Sequence, residues 1–206
     1  ARRPLASGFE PINLQELIKR TEEICRKTFD RKFELVVEVP ADLAAIQGDE
    51  NQLQQVFLNL CLNARDAFED LDRPFHRIQI VADILKFEAG DLPAHPQLPP
   101  GSYARVQIRD NGSGMDRETR ERVFEPFFTT KEIGQGTGLG LATVYGILQE
   151  HNGWIDCQSE LGVGTTFLVH LPAAELALEH KKTAAENIRT ARPATILVVE
   201  DEQSIR

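Results

Sequence analysis

The chain has 206 residues, with 23 Lys and Arg against 32 Asp and Glu, so its formal net charge is −9. This length accommodates one ordinary domain and part of another, and 41% hydrophobic with 27% charged residues is typical of globular proteins. No apolar run approaches the roughly 20 residues of a membrane-spanning helix, and the negative charge argues against nucleic-acid binding by a broadly basic surface. Cys25, Cys61 and Cys157 are widely spaced without a CxxC pair. This spacing disfavours a disulfide framework or a zinc site and predicts reduced thiols.

Hydrophobic periodicity predicts both helices and strands over residues 13–171. The clearest pattern is at 49–68, where six apolar residues recur at helical spacing. In chain order the predicted elements are the helix Asn13–Phe29, the strand Phe33–Val39, the helix Asp49–Phe68, the strands Arg77–Leu85 and Tyr103–Arg109, the helix Leu141–Glu150, and the strands Trp154–Gln158 and Thr165–Leu171, which form a hairpin turned at Leu161–Gly164. Four prolines between the strands at 77–85 and 103–109 predict a surface loop there.

Composition divides the chain into four parts. Residues 1–9 form a polar tail, and residues 10–172 hold all the elements above. Residues 173–193 are a charged, alanine-rich segment typical of a helical linker. Residues 194–206 contain the apolar stretch Thr195–Val199, followed by Glu200 and Asp201, and this pattern predicts one buried strand at the start of another unit.

A glycine-rich stretch, GQGTGLGL at 134–141, leads into the helix 141–150. Alternate glycines permit positive φ and close approach, and they deliver backbone N–H groups to a helix N-terminus, which suits a polyphosphate. The chain has no Gly-Lys dipeptide and no GxGxxG after a strand, so neither a P-loop nor a dinucleotide fingerprint is present. From the glycines alone, a flexible loop is an equally good interpretation.

The helix 49–68 also carries a polar face. Gln55, Asn59, Asn63 and Asp66 lie within about 80° of one another beside the apolar stripe. Such a face could meet solvent, or its Asn side chains could fasten a neighbouring loop. The other interpretation is a metal site, because an amide oxygen is a suitable hard ligand for Mg²⁺.

A third pattern, Asp110-Asn111-Gly112-Ser113-Gly114, directly follows the strand Tyr103–Arg109. Asp-Asn-Gly is a frequent turn sequence, and a turn is the simple interpretation. The functional one is that the Asp110 carboxylate accepts a hydrogen bond from an exocyclic amine, while Gly112 and Gly114 let a flat ring lie against the backbone.

These blocks resemble the N, G1, F and G2 boxes of the ATP-binding catalytic domain of bacterial sensor histidine kinases. They occur in order as NLCLNARDAF, DNGSGM, FEPFFTTK and GQGTGLGLATVYG, and GVGTTF at 162–167 is similar to the family's last glycine box. The resemblance implies an α/β two-layer sandwich, with a mixed sheet covered on one face by helices. The C-terminal TILVVEDE resembles the first strand and acidic pair of a receiver domain, which implies a hybrid kinase.

The resemblance also implies roles by position. Asp110 would bond the adenine amine and Thr165 would support the ring, while Asn63 would ligate Mg²⁺. Asn59 and Lys131 would be catalytic at the phosphates. The residues implied to bind ATP are Asn59, Asn63, Asp66, Asp110, Gly112, Gly114, Lys131, Gly136, Thr137, Gly138, Leu139, Gly140, Leu141 and Thr165.

The chain departs from a common pattern of this family at Asp66, where many relatives carry Lys. A carboxylate cannot neutralise phosphate, so the cationic role must move elsewhere. Lys131, at the end of FFTTK, is the best candidate, although it could also be a solvated surface lysine. Arg65 and Arg109 are weaker candidates, because helix and strand geometry points them away.

Two other functions compete with the kinase. ATPases of the gyrase, mismatch-repair and chaperone type share this nucleotide fold but place a Glu four residues before the metal-binding Asn, as base for water. Here Asn59 stands at that position, and an amide takes no proton near neutral pH. A nucleotide-binding regulatory module without chemistry is the third interpretation.

Partners and location follow from the resemblance alone. None of the five histidines has the setting of a phosphoacceptor, so a dimerisation domain bearing it is expected before residue 1. The phosphoryl group would pass on to a receiver domain in cis or to a response regulator in trans. We expect a homodimeric, cytoplasmic kinase region with no nucleic-acid partner and no membrane segment in residues 1–206, whether or not the parent protein has an anchor.

Overall fold

The structure is a computed structural model that describes residues 9–68, 75–88, 99–131 and 136–173. Its elements follow in the order β1 Glu10–Ile12, α1 Leu14–Thr28, β2 Phe33–Glu38, β3 Ile46–Gly48, α2 Glu50–Asp66, β4 His76–Phe87, β5 Gly101–Asp110, α3 Arg117–Arg122, α4 Gly140–Glu150, β6 Trp154–Glu160 and β7 Gly164–Pro172. Among these described elements no helix combines the length and the apolar character needed to cross a membrane.

Five strands form one mixed sheet in the order β2-β4-β5-β7-β6. β2 and β4 are parallel, and the other three neighbouring pairs are antiparallel. The short strands β1 and β3 pair with each other in a separate two-stranded sheet. The predicted α/β fold with a mixed sheet is therefore confirmed.

The helices α1, α2 and α4 share one hydrophobic core with a single face of the sheet. Buried side chains of the helices, such as Leu17, Leu60 and Val144, belong to the same cluster as Ile108 of β5 and Val169 of β7. Because side chains alternate between the two faces of a strand, this cluster defines the inner face of the sheet. The molecule is a two-layer sandwich over its described residues.

The sequence of α2 explains its length and orientation. Asp49 caps its N-terminus by accepting from the backbone N–H groups of Asn51 and Gln52, at 2.9 and 3.1 Å. The apolar stripe predicted for this helix is buried, with Leu53 and Leu60 fully enclosed. This burial turns the polar edge of the helix toward the cavity described below.

The helices and strands predicted over residues 13–171 are all present, with ends shifted by at most two residues. The pattern missed β1, β3 and α3. Both strands have only three residues, too few for an alternation to show, and α3 is the fully polar segment RETRER. Most of the predicted linker at 173–193, the strand at 195–199 and most of the proline-rich loop lie outside the described residues.

All three cysteines are free thiols. The hydrogen bond with the Cys25 thiol, together with burial, raises the pKa of Cys61 well above its usual value, and burial raises the pKa of Cys157 to about 12. Because only the thiolate is a good nucleophile or metal ligand, neither Cys61 nor Cys157 is suited to such chemistry near neutral pH.

His151 fastens the far end of α4 to the start of α2. Its Nδ1 donates to the carbonyl of Ile147 at 2.8 Å, and its Nε2 accepts from the backbone N–H of Asp49 at 3.0 Å. The ring also stacks on Phe9, with 4.4 Å between ring centroids. Since a protonated imidazole has no acceptor nitrogen, only the neutral ring makes this set of contacts.

We expect this histidine to make stability depend on pH. Burial lowers the pKa of His151 below its usual value of 6.5, so the contribution is complete above that value and is lost as pH falls through the lower native pKa. When the pH is lowered from 7.5 to 5.0, the free energy of unfolding measured with urea should therefore fall more for the wild type than for His151→Gln. Equal losses in the two proteins would mean that His151 does not carry the effect.

Candidate functional site

A cavity of about 850 Å³ lies between α2, the loop after β5, the segment 128–131 and the start of α4. Small-molecule sites have volumes of about 300–1,000 Å³, so the cavity is large enough for a nucleotide. Its lining includes every residue predicted to bind ATP except Gly112 and Leu139. The other lining residues are Leu62, Ala67, Ser113, Met115, Thr119, Val123, Phe128, Thr129, Thr130 and Phe167.

Asp110 is the buried carboxylate of the cavity. It is the last residue of β5 and is only 4% exposed. Its Oδ1 accepts from the backbone N–H of Gly112 at 2.8 Å and from that of Thr165 on β7 at 3.2 Å. These bonds fix the side chain at the end of two neighbouring strands, where it faces the cavity.

Four hydrogen bonds connect Asp110, the loop that follows it and the β6–β7 hairpin. The backbone N–H of Met115 donates to Ser159 Oγ at 2.8 Å, and the N–H of Gly162 donates to the carbonyl of Ser113 at 2.6 Å. Ser159 Oγ also lies 2.9 Å from Thr165 Oγ1. The fourth contact is the Thr165–Asp110 bond. Together they make this end of the cavity a preformed wall.

Ser159 was missed by the sequence analysis, which ended the first strand of the hairpin at Gln158. The turn predicted at Leu161–Gly164 sets residue 160 opposite Thr165, whereas the structure pairs Ser159 with Thr165, one position away. Residues on the same face of paired strands are neighbours. The hydroxyl beside Thr165 therefore depends on a register that the sequence pattern did not specify.

Gly112 and Gly114 are required by close approaches within the protein, while the predicted approach of a base to them stays a prediction. A Cβ on Gly112 would lie 2.6 Å from Ala67 Cβ, and one on Gly114, where φ is +65°, would lie 1.9 Å from the carbonyl oxygen of Glu160. Both glycines thus let protein segments approach each other. Gly112 lies beneath Asp110 rather than in the lining, and only Gly114 borders the cavity.

On α2, the two asparagines of the cavity have different surroundings. Asn59 Nδ2 donates to the carbonyl of Gly140 at 3.3 Å, which joins α2 to the first turn of α4. Asn63 Nδ2 is buried and has no hydrogen-bond partner among the described residues. Gln55, on the same predicted polar face, is exposed and lies outside the cavity. Asn59 therefore does fasten a neighbouring segment, whereas the amide nitrogen of Asn63 does not.

Asp66 holds two cations at the other end of this polar face. Its Oδ1 accepts from Arg65 Nε and Nη2 at 2.8 and 2.6 Å, and its Oδ2 accepts from Lys131 Nζ. Of the two cations, only Lys131 lines the cavity. Arg109 is exposed and lies outside the lining, as its strand geometry predicted.

The glycines before α4 have separate surroundings. Gly136 packs on Thr129 and Lys131, and Gly138, with φ +63°, lies against the backbone of Phe127, whose N–H donates to its carbonyl at 2.9 Å. A Cβ on Gly140 would meet nothing within 4 Å. Among the described glycines of this stretch, Gly140 is therefore the one with open space beside it.

α4 begins at Gly140 without a side-chain cap. The first N–H groups of a helix lack intrahelical partners and favour an anion. Leu141, in this first turn, lines the cavity together with Thr137. Leu139, 41% exposed, lies outside the lining despite its predicted place in the site.

Comparison with known proteins gives one consistent result. The family model described as histidine kinase-, DNA gyrase B-, and HSP90-like ATPase matches residues 48–175. The sensor kinase CckA of Brucella abortus (strain 2308) is 35% identical over 208 residues, which cover 96% of this chain and 21% of that protein. This chain thus spans about a fifth of that relative's length.

The chain is also similar to solved structures of kinases. The catalytic domain of the histidine kinase ThkA matches with a TM-score of 0.60 and 28% identity, over 81% of this chain and 97% of that one. The full-length ShkA in complex with AMPPNP matches with a TM-score of 0.64 and 26% identity, over 84% of this chain and 32% of that one. The chain belongs to the histidine kinase-, DNA gyrase B-, and HSP90-like ATPase family, and sensor histidine kinases are among its relatives.

Proposed function

We propose that this chain is the catalytic domain of a sensor histidine kinase, which binds Mg-ATP and donates the γ-phosphoryl group to a histidine on another domain. The observation that carries the proposal is the cavity itself, which has a buried carboxylate at one end and a lysine with a helix N-terminus at the other. A nucleotide requires this arrangement, with a hydrogen-bond acceptor for its base at one end and positive charge for its phosphates at the other. The AMPPNP complex of the similar ShkA supports the same ligand class.

The adenine would lie at the Asp110 end. A buried carboxylate accepts hydrogen bonds but donates none when ionised, so it selects a ring with an exocyclic amine. Thr165, 5% exposed and fixed by Asp110 and Ser159, would support the ring from β7. Met115 and Phe167 supply apolar lining in the same cavity.

The phosphates would lie between α2 and the start of α4. Lys131 and the first-turn N–H groups of α4 would bind them. Asn63 suits Mg²⁺ because its amide offers a hard oxygen ligand, and its buried, unpartnered nitrogen would donate to a phosphate oxygen. When bound there, Mg²⁺ would neutralise phosphate charge and leave the γ-phosphorus more electrophilic.

Asn59 favours phosphoryl transfer over hydrolysis. A hydrolase of this fold needs a carboxylate there to take a proton from water. Asn59 instead donates to the carbonyl of Gly140 and would hold the α4 terminus at the phosphates. The neighbouring carboxylate of Asp66 already accepts hydrogen bonds from two cations, Arg65 and Lys131.

We place the phosphoacceptor histidine on another domain or chain. His76, His151 and His170 are at most 6% exposed, and His95 and His180 lie outside the described residues. We therefore assign the acceptor to a dimerisation domain of the parent protein, in a cytoplasmic homodimer. Onward transfer would go to a receiver domain, in cis after residue 194 or in trans.

Labelling with γ-labelled ATP tests the proposal. A parent chain containing the dimerisation domain should acquire acid-labile label, and Asn63→Ala in that chain should abolish it. The 206-residue chain alone should bind ATP without being labelled. Stoichiometric acid-labile label on the isolated chain, or rapid release of phosphate without label on either chain, would contradict the assignment.

A further inference from the structure

Asp66 lies at the centre of a three-residue charge cluster on the wall of the cavity. Its two oxygens are divided between two cations, with Arg65 on Oδ1 and Lys131 on Oδ2. The Asp66 side chain is only 15% exposed, and that of Lys131 only 28%. The cluster carries one negative and two positive charges, so its net charge is that of a single cation.

Of the two cations, Lys131 lines the cavity and Arg65 does not. The Arg65 guanidinium lies over the ring of Phe29, 5.7 Å from its centroid. Lys131 projects from the segment before the glycine stretch. Its stem lies under Gly136, where a Cβ would stand 3.2 Å from Lys131 Cδ. The lysine is thus enclosed from both sides, by Gly136 over its stem and by Asp66 at its ammonium.

We propose that Asp66 is a positioning residue that holds the Lys131 ammonium at the phosphate end of the cavity before the nucleotide arrives. This inference rests on the proposed function. An ammonium has three donors, so Lys131 can keep its bond to Asp66 while donating to a phosphate oxygen. A lysine without this partner would lose rotamer freedom when it binds phosphate. The ion pair with Asp66 already restricts the Lys131 side chain before the nucleotide binds, so less entropy is lost on binding.

Two other roles for Asp66 make different predictions for the effect of Asp66→Asn on ADP binding. If the carboxylate only competed with phosphate for Lys131, or only repelled it, then removing its charge would strengthen binding. If it touched the nucleotide itself, its loss would cost the same with or without Lys131. A double-mutant cycle separates these roles.

The test is calorimetric titration of ADP and adenosine into the wild type, Asp66→Asn, Lys131→Met and the double variant. Asp66→Asn should weaken ADP roughly three- to tenfold and leave adenosine unchanged, since adenosine has no phosphate. When Lys131 is already replaced by Met, adding Asp66→Asn should leave the affinity for ADP unchanged. Asp83→Asn, which breaks an ion pair with Arg105 on the outer face of the sheet, is the matched control and should leave ADP binding unchanged.

Three results would overturn the inference: tighter ADP binding by Asp66→Asn, an equal loss in both Lys131 backgrounds, or an equal loss for adenosine. Melting curves of the four proteins verify that each is folded before titration. Failure of the wild type to bind ADP at all would contradict the proposed function instead. The two claims can therefore fail separately.

Discussion

Asp110→Asn is expected to weaken ADP binding about ten- to a hundredfold while leaving the fold intact. The amide keeps one carbonyl oxygen, which can still accept from the N–H groups of Gly112 and Thr165. The charge is lost, and a charge-assisted hydrogen bond contributes about 1.5–3 kcal/mol, which corresponds to this range of affinity.

The same variant tests base selectivity. Guanine presents a carbonyl where adenine has its amine, so the Asp110 carboxylate would meet an acceptor. A site that leaves a buried polar group unpaired rejects the wrong ligand strongly. The wild type should therefore bind ADP at least tenfold more tightly than GDP. In Asp110→Asn this ratio of affinities should be smaller, because the amide can turn an N–H toward the guanine carbonyl.

Titrations of ADP and GDP into both proteins at matched Mg²⁺ measure this selectivity. Asp83→Asn again serves as the control for loss of one carboxylate. Equal binding of ADP and GDP by the wild type, or an unchanged ratio in Asp110→Asn, would show that Asp110 does not read the base.

Gly164→Ala should be the most destabilising small change in the hairpin. Gly164 has φ +141°, and a Cβ there would lie 2.2 Å from the carbonyl oxygen of Asp110. The contact is with backbone, so no side-chain rotation can relieve it. We expect a loss of more than about 3 kcal/mol in the free energy of unfolding.

Gly146→Ala is the matched control. Gly146 is exposed within α4, and a Cβ there would meet nothing within 4 Å. Alanine is a better helix former than glycine by about 1 kcal/mol, so this variant should be more stable than the wild type. Urea unfolding followed by circular dichroism should therefore move the two midpoints in opposite directions. A Gly164→Ala midpoint equal to that of the wild type would be inconsistent with the packing described for β7.

Much of the fold was predictable because it depends on local periodicity. The stripe on α2 and the alternation in β4, β5 and β7 are visible in the sequence, and burial of those residues produced the expected elements. β1 and β3 are held by pairing with each other, 34 or more residues apart along the chain. A three-residue strand has no period of its own, so no local signal reveals it.

The candidate site was predictable where spacing along one element determined it. Asn59 and Asn63 share a helix face because they are four residues apart, and Asp110 ends a strand. The pairing of Lys131 with Asp66 joins residues 65 positions apart. Such long-range contacts depend on how the loops pack, which the sequence pattern alone does not specify.

Titration of a non-hydrolysable ATP analogue, with and without Mg²⁺, most directly tests whether this cavity binds Mg-ATP through Asn63. The wild type should bind the analogue, and Mg²⁺ should tighten that binding. In Asn63→Ala, Mg²⁺ should no longer tighten binding of the analogue, and the melting temperature should be unchanged. Asn51 is an exposed residue of the same helix, and Asn51→Ala should behave as the wild type. Absence of binding, or an equal loss of affinity in Asn63→Ala with and without Mg²⁺, would contradict the account.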